Sequence, residues 1–313
     1  MDLYKIDKGK LQSIDSKSFK LEKDIQNIIE NNCQDVFGLQ FVKSEFTIQK
    51  YRLDSLCFDE ENKSFVVIEY KKGNSYSVID QGFTYLSQML NNKSDFVLEY
   101  NESTNSNLKR DDVDWASSRI IFISPSFNSF QKDSTNFRDV PFELWEIKKF
   151  DKDIISLNQV LSNSKESIKG TKNIKKIDNN ILDEIKVYDE DSIIDNSSDL
   201  IKEIYGSLKD KISHWEDIIF RPARRYITIN KGKKVLLYLN FQKNRIKIHI
   251  VRRVNFQGDV KKMPVVFQID DPKNMFELQS DLRRERYAYY LEDDKNIDYL
   301  VSLIKQKYDS LNN

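Results

Sequence analysis

Three charged residues, Asp54, Glu69 and Lys71, stand inside the stretch YRLDSLCFDEENKSFVVIEYKKG, residues 51 to 73. They sit in two short apolar runs that read as neighbouring strands, and charge there is costly without a partner or a task. Residues two apart on a strand share a face, so Glu69 and Lys71 project together and Tyr70 points the other way. The polar EEN turn joins the two runs and brings Asp54 across the ladder. Two carboxylates at a strand edge form an oxygen-rich pocket suited to Mg²⁺, which takes hard ligands at about 2.0–2.1 Å and keeps several waters. An ion held there polarises a phosphate oxygen and lowers the pKa of a water. Lys71 is placed to orient that water or to stabilise developing negative charge. The plainer reading is a Glu–Lys ion pair on an exposed strand edge, which contributes about 0–1 kcal/mol.

The surrounding pattern supplies the elements that must position these groups. KLEKDIQNIIENN places Leu21, Ile25, Ile28 and Ile29 on one helical stripe. FGLQFVKSEFTIQ alternates like a strand, and RLDSLCFD and SFVVIEYKK follow. SVIDQGFTYLSQML returns to helical spacing through Ile79, Phe83, Leu86 and Leu90. RIIFIS and FELWEIKKF read as two further strands. The order predicts an α/β domain over residues 1–150, a mixed sheet flanked by helices. Residues 151–196 are rich in Asn, Ser, Lys and Asp and predict a polar connector with short helices. Residues 197–313 predict a second, smaller α/β (α+β) domain. It has a helical stripe through Leu200, Ile204, Leu208 and Ile212, three short strands in RYITINKGKKVLLYLNFQKNRIKIHIVRRV, and a closing helix, NIDYLVSLIKQKYDSL.

At Asp54 and the IEYKK run the sequence resembles the PD-(D/E)XK nuclease superfamily, most closely the branch of RecB-type nuclease domains and the mismatch endonuclease NucS. The likeness spans roughly Leu21 to Phe150. Leu53 stands where the family has a proline. The resemblance implies a restriction-endonuclease-like fold and a Mg²⁺-dependent (or Mn²⁺-dependent) endonuclease hydrolysing DNA phosphodiesters, in restriction, phage defence or repair. RNA is not set apart from DNA by these residues. Asp54 and Glu69 match the metal ligands, joined by the Tyr70 carbonyl. Glu22 matches a further metal-holding glutamate on the first helix, with Glu30 a weaker candidate. Lys71 matches the lysine that positions the water, and Gln81 a glutamine on the following helix that steadies the water or the phosphate. Double-strand cutters of the family often dimerise, so a homodimer is also expected. The alternatives are a nucleic-acid-binding module that keeps the fold without the chemistry, and a protein-interaction adaptor.

The formal net charge of zero hides an uneven distribution. Residues 1–150 carry 20 Lys/Arg against 24 Asp/Glu, residues 151–196 carry 7 against 10, and residues 197–313 carry 23 against 16. From Phe220 to Lys262 there are 13 Lys/Arg and one acid, Asp259. In RIKIHIVRR the residues Arg245, Lys247 and His249 alternate with isoleucines, giving one basic and one apolar face. Arg224, Arg225, Lys233, Lys234, Arg245, Lys247, Arg252 and Arg253 are therefore the candidate nucleic-acid contacts, acting through phosphate neutralisation. A solvated sheet face whose lysines discourage edge pairing is the simpler alternative. This part also resembles a small α/β domain of unknown function found attached to such nucleases.

Composition excludes several classes. Two cysteines, Cys33 and Cys57, make neither a disulfide framework nor a Cys₄ zinc site, and two histidines make no His-rich metal centre. No phosphate-binding GxxxxGK[ST] or dinucleotide GxGxxG motif occurs. No apolar run approaches the ~18 residues of a membrane span, and MDLYKIDKGK lacks an apolar signal core, so a cytoplasmic location without membrane contact is expected. Glu143 and Glu146 are expected to face solvent, and His214 to pack within a helix.

Overall fold

The computed structural model describes residues 3–72, 78–135, 140–160, 184, 186–232, 234–254, 260–280 and 284–311. The chain divides into two compact units, Met1–Val187 and Tyr188–Asn313.

The first unit opens with a two-stranded hairpin, β1 (Leu3–Asp7) and β2 (Lys10–Ile14), followed by the short β3 (Ser16–Lys17). Two helices, α1 (Glu22–Glu30) and α2 (Cys33–Phe37), precede three consecutive strands, β4 (Gln40–Ile48), β5 (Tyr51–Asp59) and β6 (Ser64–Tyr70). Then come α3 (Val78–Asn91), α4 (Lys93–Thr104), β7 (Arg119–Ser124), α5 (Ser129–Ser134), β8 (Phe142–Phe150) and β9 (Ile154–Val160). The strands form one mixed sheet in the order β3-β8-β7-β6-β5-β4, with β9 also on β8. Antiparallel hairpins join β4, β5 and β6, whereas β6, β7 and β8 run parallel. A parallel neighbour demands a crossover, and α3 and α4 supply it between β6 and β7.

Strand β6 lies between β5 and β7, so both of its faces are covered and every residue from Ser64 to Tyr70 is buried. That explains its near-continuous apolar run. On one face Leu56, Phe58, Val67 and Phe122 pack with Phe83, Leu86 and Met89 of α3 and with Phe96 of α4. On the other, Cys57, Val66, Ile68, Tyr70 and Ile123 pack with Ile25 and Ile29 of α1. Helix α2 ends on Gly38, whose φ of +70° is the left-handed cap that glycine adopts without strain.

The second unit holds α6 (Glu190–Ile194), α7 (Asp199–Ser213), β10 (Ile218–Ala223), β11 (Tyr226–Lys231), β12 (Lys234–Gln242), β13 (Arg245–Val254), β14 (Glu277–Ser280), β15 (Arg284–Leu291) and α8 (Ile297–Ser310). Its strands form an antiparallel sheet in the order β10-β11-β12-β13-β15-β14. Ile246, Ile248, Ile250, Leu237 and Leu239 share one face and pack against Ile204 and Leu208 of α7 and Leu300 and Ile304 of α8.

Several expectations change. Residues 154–160, read as connector, form strand β9 because Ile154, Leu157 and Val160 pair along β8. Glu190–Ile194 is the short helix expected there, and residues 161–183 lie outside the described residues. Ile79 of the α3 stripe has no described side chain. Leu21 is exposed because it is the residue before α1 rather than part of its stripe. On α7 the buried stripe runs through Ile201, not Leu200, together with Ile204, Leu208 and Ile212. His214 caps the C-terminal end of α7 in an exposed position. Glu143 turns inward, accepting from Arg119 Nε at 2.8 Å and from Trp145 Nε1 at 2.9 Å, and Glu146 is half-buried beside Lys132.

Candidate metal centre and basic sheet face

The β5–β6 ladder stops at the pair Ser55–Ile68. Continuing the register would set Asp54 opposite Glu69, and directly opposed residues of an antiparallel pair share a face. The backbone bond that would follow is replaced by a side chain, since Asp54 Oδ2 accepts from the Tyr70 N–H at 3.1 Å. Both carboxylates therefore lie on the α3 face of the sheet, where Lys71 joins them.

Glu69 is 4% exposed, and its two oxygens have different fates. Oε1 accepts from Lys71 Nζ at 2.8 Å and from Gln81 Nε2 at 2.5 Å. Oε2 is buried and has no hydrogen-bond partner among the described residues. A buried carboxylate oxygen without a donor costs on the order of 1–3 kcal/mol, so native structures rarely leave one that way without a water or an ion. Burial pushes the Glu69 carboxyl above the usual range and Asp54 adds to the rise, against Lys71 and Gln81. Burial also raises Asp54, opposed by the Tyr70 N–H and by Lys71. Two carboxylates whose negative charge is under-compensated fit a divalent cation by donor chemistry. Among the described residues no three His, Cys, Asp or Glu side chains converge as a metal-binding group. The fit is thus to an ion held by two carboxylates and completed by the main chain and water, not to a closed protein cage.

Glu22, at the start of α1, reaches the same end of β6, but its Oε1 accepts from the Lys72 N–H at 2.8 Å. Glu30 lies on the reverse face, where its Oε1 accepts from Gln26 Nε2 at 2.7 Å and from Ser55 Oγ at 2.6 Å. It is not part of the Asp54–Glu69 group. Gln26 also reaches the Asp54 carbonyl at 2.9 Å, and Ser55 Oγ meets Tyr70 Oη at 3.0 Å. This polar support behind the carboxylates is not what the sequence suggests, where Glu30 is a weaker candidate for the metal-holding glutamate and nothing singles out Gln26.

Tyr85 was also missed. Gln81 Nε2 donates to Tyr85 Oη at 2.8 Å, and Tyr85 donates to the Arg52 carbonyl at 3.3 Å. Its spacing of four from Gln81 on α3 is the signal that could have found it. Between them, Gly82 brings α3 close to β8: a Cβ there would lie 2.5 Å from Phe142 Cζ. Gly82→Ala should therefore lower stability by about 1–3 kcal/mol through overpacking, despite the better helix propensity of alanine. Urea denaturation measures this, and an unchanged midpoint would contradict it.

The basic candidates of the second unit separate into groups. Arg224 and Arg225 are exposed in the β10–β11 turn, and Lys233 lies outside the described residues. Lys234 Nζ donates to the Leu311 carbonyl at 3.1 Å, just past the end of α8. Arg252 and Arg253 both bond Glu285 Oε2, at 3.1 and 2.6 Å. A bulge between Val251 and Arg253 lets two consecutive arginines face one residue of β15. Their positive charge serves a carboxylate only 6% exposed, so these two are structural where the sequence suggested phosphate contacts. Arg245 stacks on the Tyr290 ring at 4.3 Å, and Lys247 Nζ lies 5.3 Å from the same ring.

The first unit is a restriction-endonuclease-like α/β fold, a mixed sheet flanked by helices with an acidic pair and a lysine at one strand end. A Haemophilus influenzae protein described as an uncharacterized protein is 40% identical over 311 residues, covering 98% of this chain and 99% of its own. The chain belongs to the family of that protein. No family model matches it. Among solved structures, the crystal structure of a repair endonuclease from Pyrococcus abyssi matches at 20% identity over 42% of this chain and 49% of its own, with a TM-score of 0.24. The structure of an EndoMS–dsDNA2 complex matches at 17% identity over 44% and 50%, also with a TM-score of 0.24. The matched region thus spans about half of each of those two chains. Among the described residues no helix is long and apolar enough to cross a membrane.

Proposed function

We propose that the chain is a metal-dependent nuclease that hydrolyses DNA phosphodiester bonds. The observation that carries this reading is Glu69 Oε2, buried and without a partner among the described residues on the face that Asp54 shares, with Lys71 held on the other oxygen. Asp54 and Glu69 would hold Mg²⁺ or Mn²⁺, with the Tyr70 carbonyl as a third donor and Glu22 acting from outside. The ion, when bound, polarises the phosphate and acidifies a water. The chain's own groups do the rest. Lys71 keeps its ammonium beside Glu69, where it orients the attacking water and offsets charge growing on the phosphate. Gln81, fixed between Glu69 and Tyr85, sets the rotamer of that carboxylate. The basic second unit would neutralise backbone phosphates, through Arg224, Arg225, Arg245 and Lys247.

Incubating the purified protein with Mg²⁺ or Mn²⁺ and plasmid, linear duplex or single-stranded DNA tests the assignment. Cleavage should appear with metal and stop with EDTA. Lys71→Ala should lower it by about 10²–10⁴-fold. Cleavage by Lys71→Ala at the parent rate would sink the reading. Salt-dependent binding with no cleavage on any substrate would favour a binding module that keeps the fold alone.

A further inference from the structure

Both long helices of the second unit, α7 and α8, pack on the isoleucine face of its sheet. The opposite face carries a different set of side chains, fixed by register. One row across the strands reads Thr228, Tyr238, His249 and Ala288, and the next reads Tyr226, Asn240, Lys247 and Tyr290. Tyr226 and Tyr238 meet edge to face at 5.5 Å. Tyr290 bears Arg245 and Lys247 over its ring. Ala288, the small residue of the first row, is buried opposite His249, whereas Lys247 and Tyr290 of the next row are half-buried. His249 Nε2 is buried without a partner among the described residues. Burial, and then Arg286, Lys247 and Arg284, hold its pKa down to about 4. The imidazole is thus neutral at pH 7 in a cationic setting, with Glu277 across Ala288 on the edge strand as the facing acid.

We propose that this face binds single-stranded nucleic acid, with bases stacking on the Arg245–Tyr290 pair and phosphates lying along Lys247 and Arg286. The proposal rests on the nucleic-acid reading of the second unit given above, and it names the strand form. Charge selects the occupant: Arg245, Lys247, Arg284 and Arg286 gather around Tyr290 and His249, against Glu277 on the edge strand and Glu292 at 3.7 Å from Arg245, an excess of cations that suits a polyanion. Flat rings set among cations select its form. Bases in a duplex are stacked on one another and offer no ring face to a sheet, whereas unpaired bases stack on tyrosine regardless of sequence. Sheet platforms read single strands in this way.

The test uses the full chain carrying Glu69→Gln, in EDTA, so that binding is measured without cleavage. Anisotropy of a labelled single strand of about 20 nucleotides is compared with that of its duplex at about 0.1 M salt, a length that spans one sheet platform. The single strand should bind at least about 10-fold more tightly than the duplex, and Tyr290→Ala should weaken it by about 5–50-fold, as loss of one stacking platform does. Tyr290→Phe should keep parental affinity, and its melting curve checks folding. Lys247→Gln should reduce the slope of log K against log salt by about one. If Tyr290→Ala does not fold, Arg245→Gln combined with Lys247→Gln takes its place, with the same loss expected. Equal affinity for duplex and single strand, or a platform variant that binds the single strand as the parent does, overturns the proposal. Cleavage by the parent chain in Mg²⁺ is scored separately. Binding with no cleavage sinks the nuclease assignment alone, and cleavage with no effect of the platform variants sinks this one alone.

Discussion

Glu69→Gln is expected to lower cleavage by at least about 10²-fold while leaving the metal-free protein no less heat-stable than the parent. Glutamine keeps an oxygen to accept from Lys71 and Gln81 but removes a charge that burial disfavours. The pH dependence has a definite sign. Burial raises the Glu69 and Asp54 carboxyls in the folded chain above their unfolded values of about 4. The folded chain therefore holds more protons through that window. Stability from these groups is fully present below pH ~4 and is lost as pH rises through the raised values. In EDTA the melting temperature of Glu69→Gln should match the parent near pH 4 and exceed it at pH 7. Millimolar Mg²⁺ should reverse the order, because an ion that binds only the folded parent stabilises it by mass action. Calorimetry of both chains at the two pH values, with and without Mg²⁺, reads the melting temperatures that decide this. A parent chain whose melting temperature ignores Mg²⁺ would argue against ligation at this pair.

Glu285→Ala should be the most destabilising single change in the second unit. Its carboxylate is buried and accepts from Arg252 and Arg253, whose side chains are each 18% exposed. Removing it leaves two guanidinium groups beside each other with no counter-charge among the described residues, and breaking a buried pair in this way costs about 3–5 kcal/mol. Glu285→Gln, which can still accept a hydrogen bond, should cost less. Thermal and urea melting of the full chain measure both. A loss below about 1 kcal/mol for the alanine variant would mean that water solvates the arginines better than their burial indicates.

What the sequence disclosed follows from the range of the interactions concerned. Asp54, Glu69 and Lys71 were legible because a period of two and one short turn decide which side chains share a face. Gln81 could be assigned to the following helix for a similar reason. The helical phase of α7 was read one residue out, since Leu200 and Ile201 are both apolar and only packing against the sheet chooses between them. Strand β15 was hidden in RRERYAYY, where arginines mask the alternation until Glu285 and its two partners are seen in space. The bond from Glu22 to the Lys72 amide joins residues 50 apart, and nothing local to either announces it. Strand β9 reads as part of the polar connector that follows it, because only the edge of β8 makes a strand of its apolar residues.

The substitution of the Asp54 carboxylate for a ladder bond at Tyr70 has a consequence for affinity. One oxygen is tethered to the main chain, so the rotamer of Asp54 is already chosen in the free protein. A cation bound there, as proposed, would freeze few side-chain torsions and leave little conformational entropy to be lost. Discrimination between ions would then rest on how well a nearly rigid gap between two oxygens suits the ionic radius. In that case a smaller ion that tolerates little distortion would be favoured over a larger one that needs the strands to part.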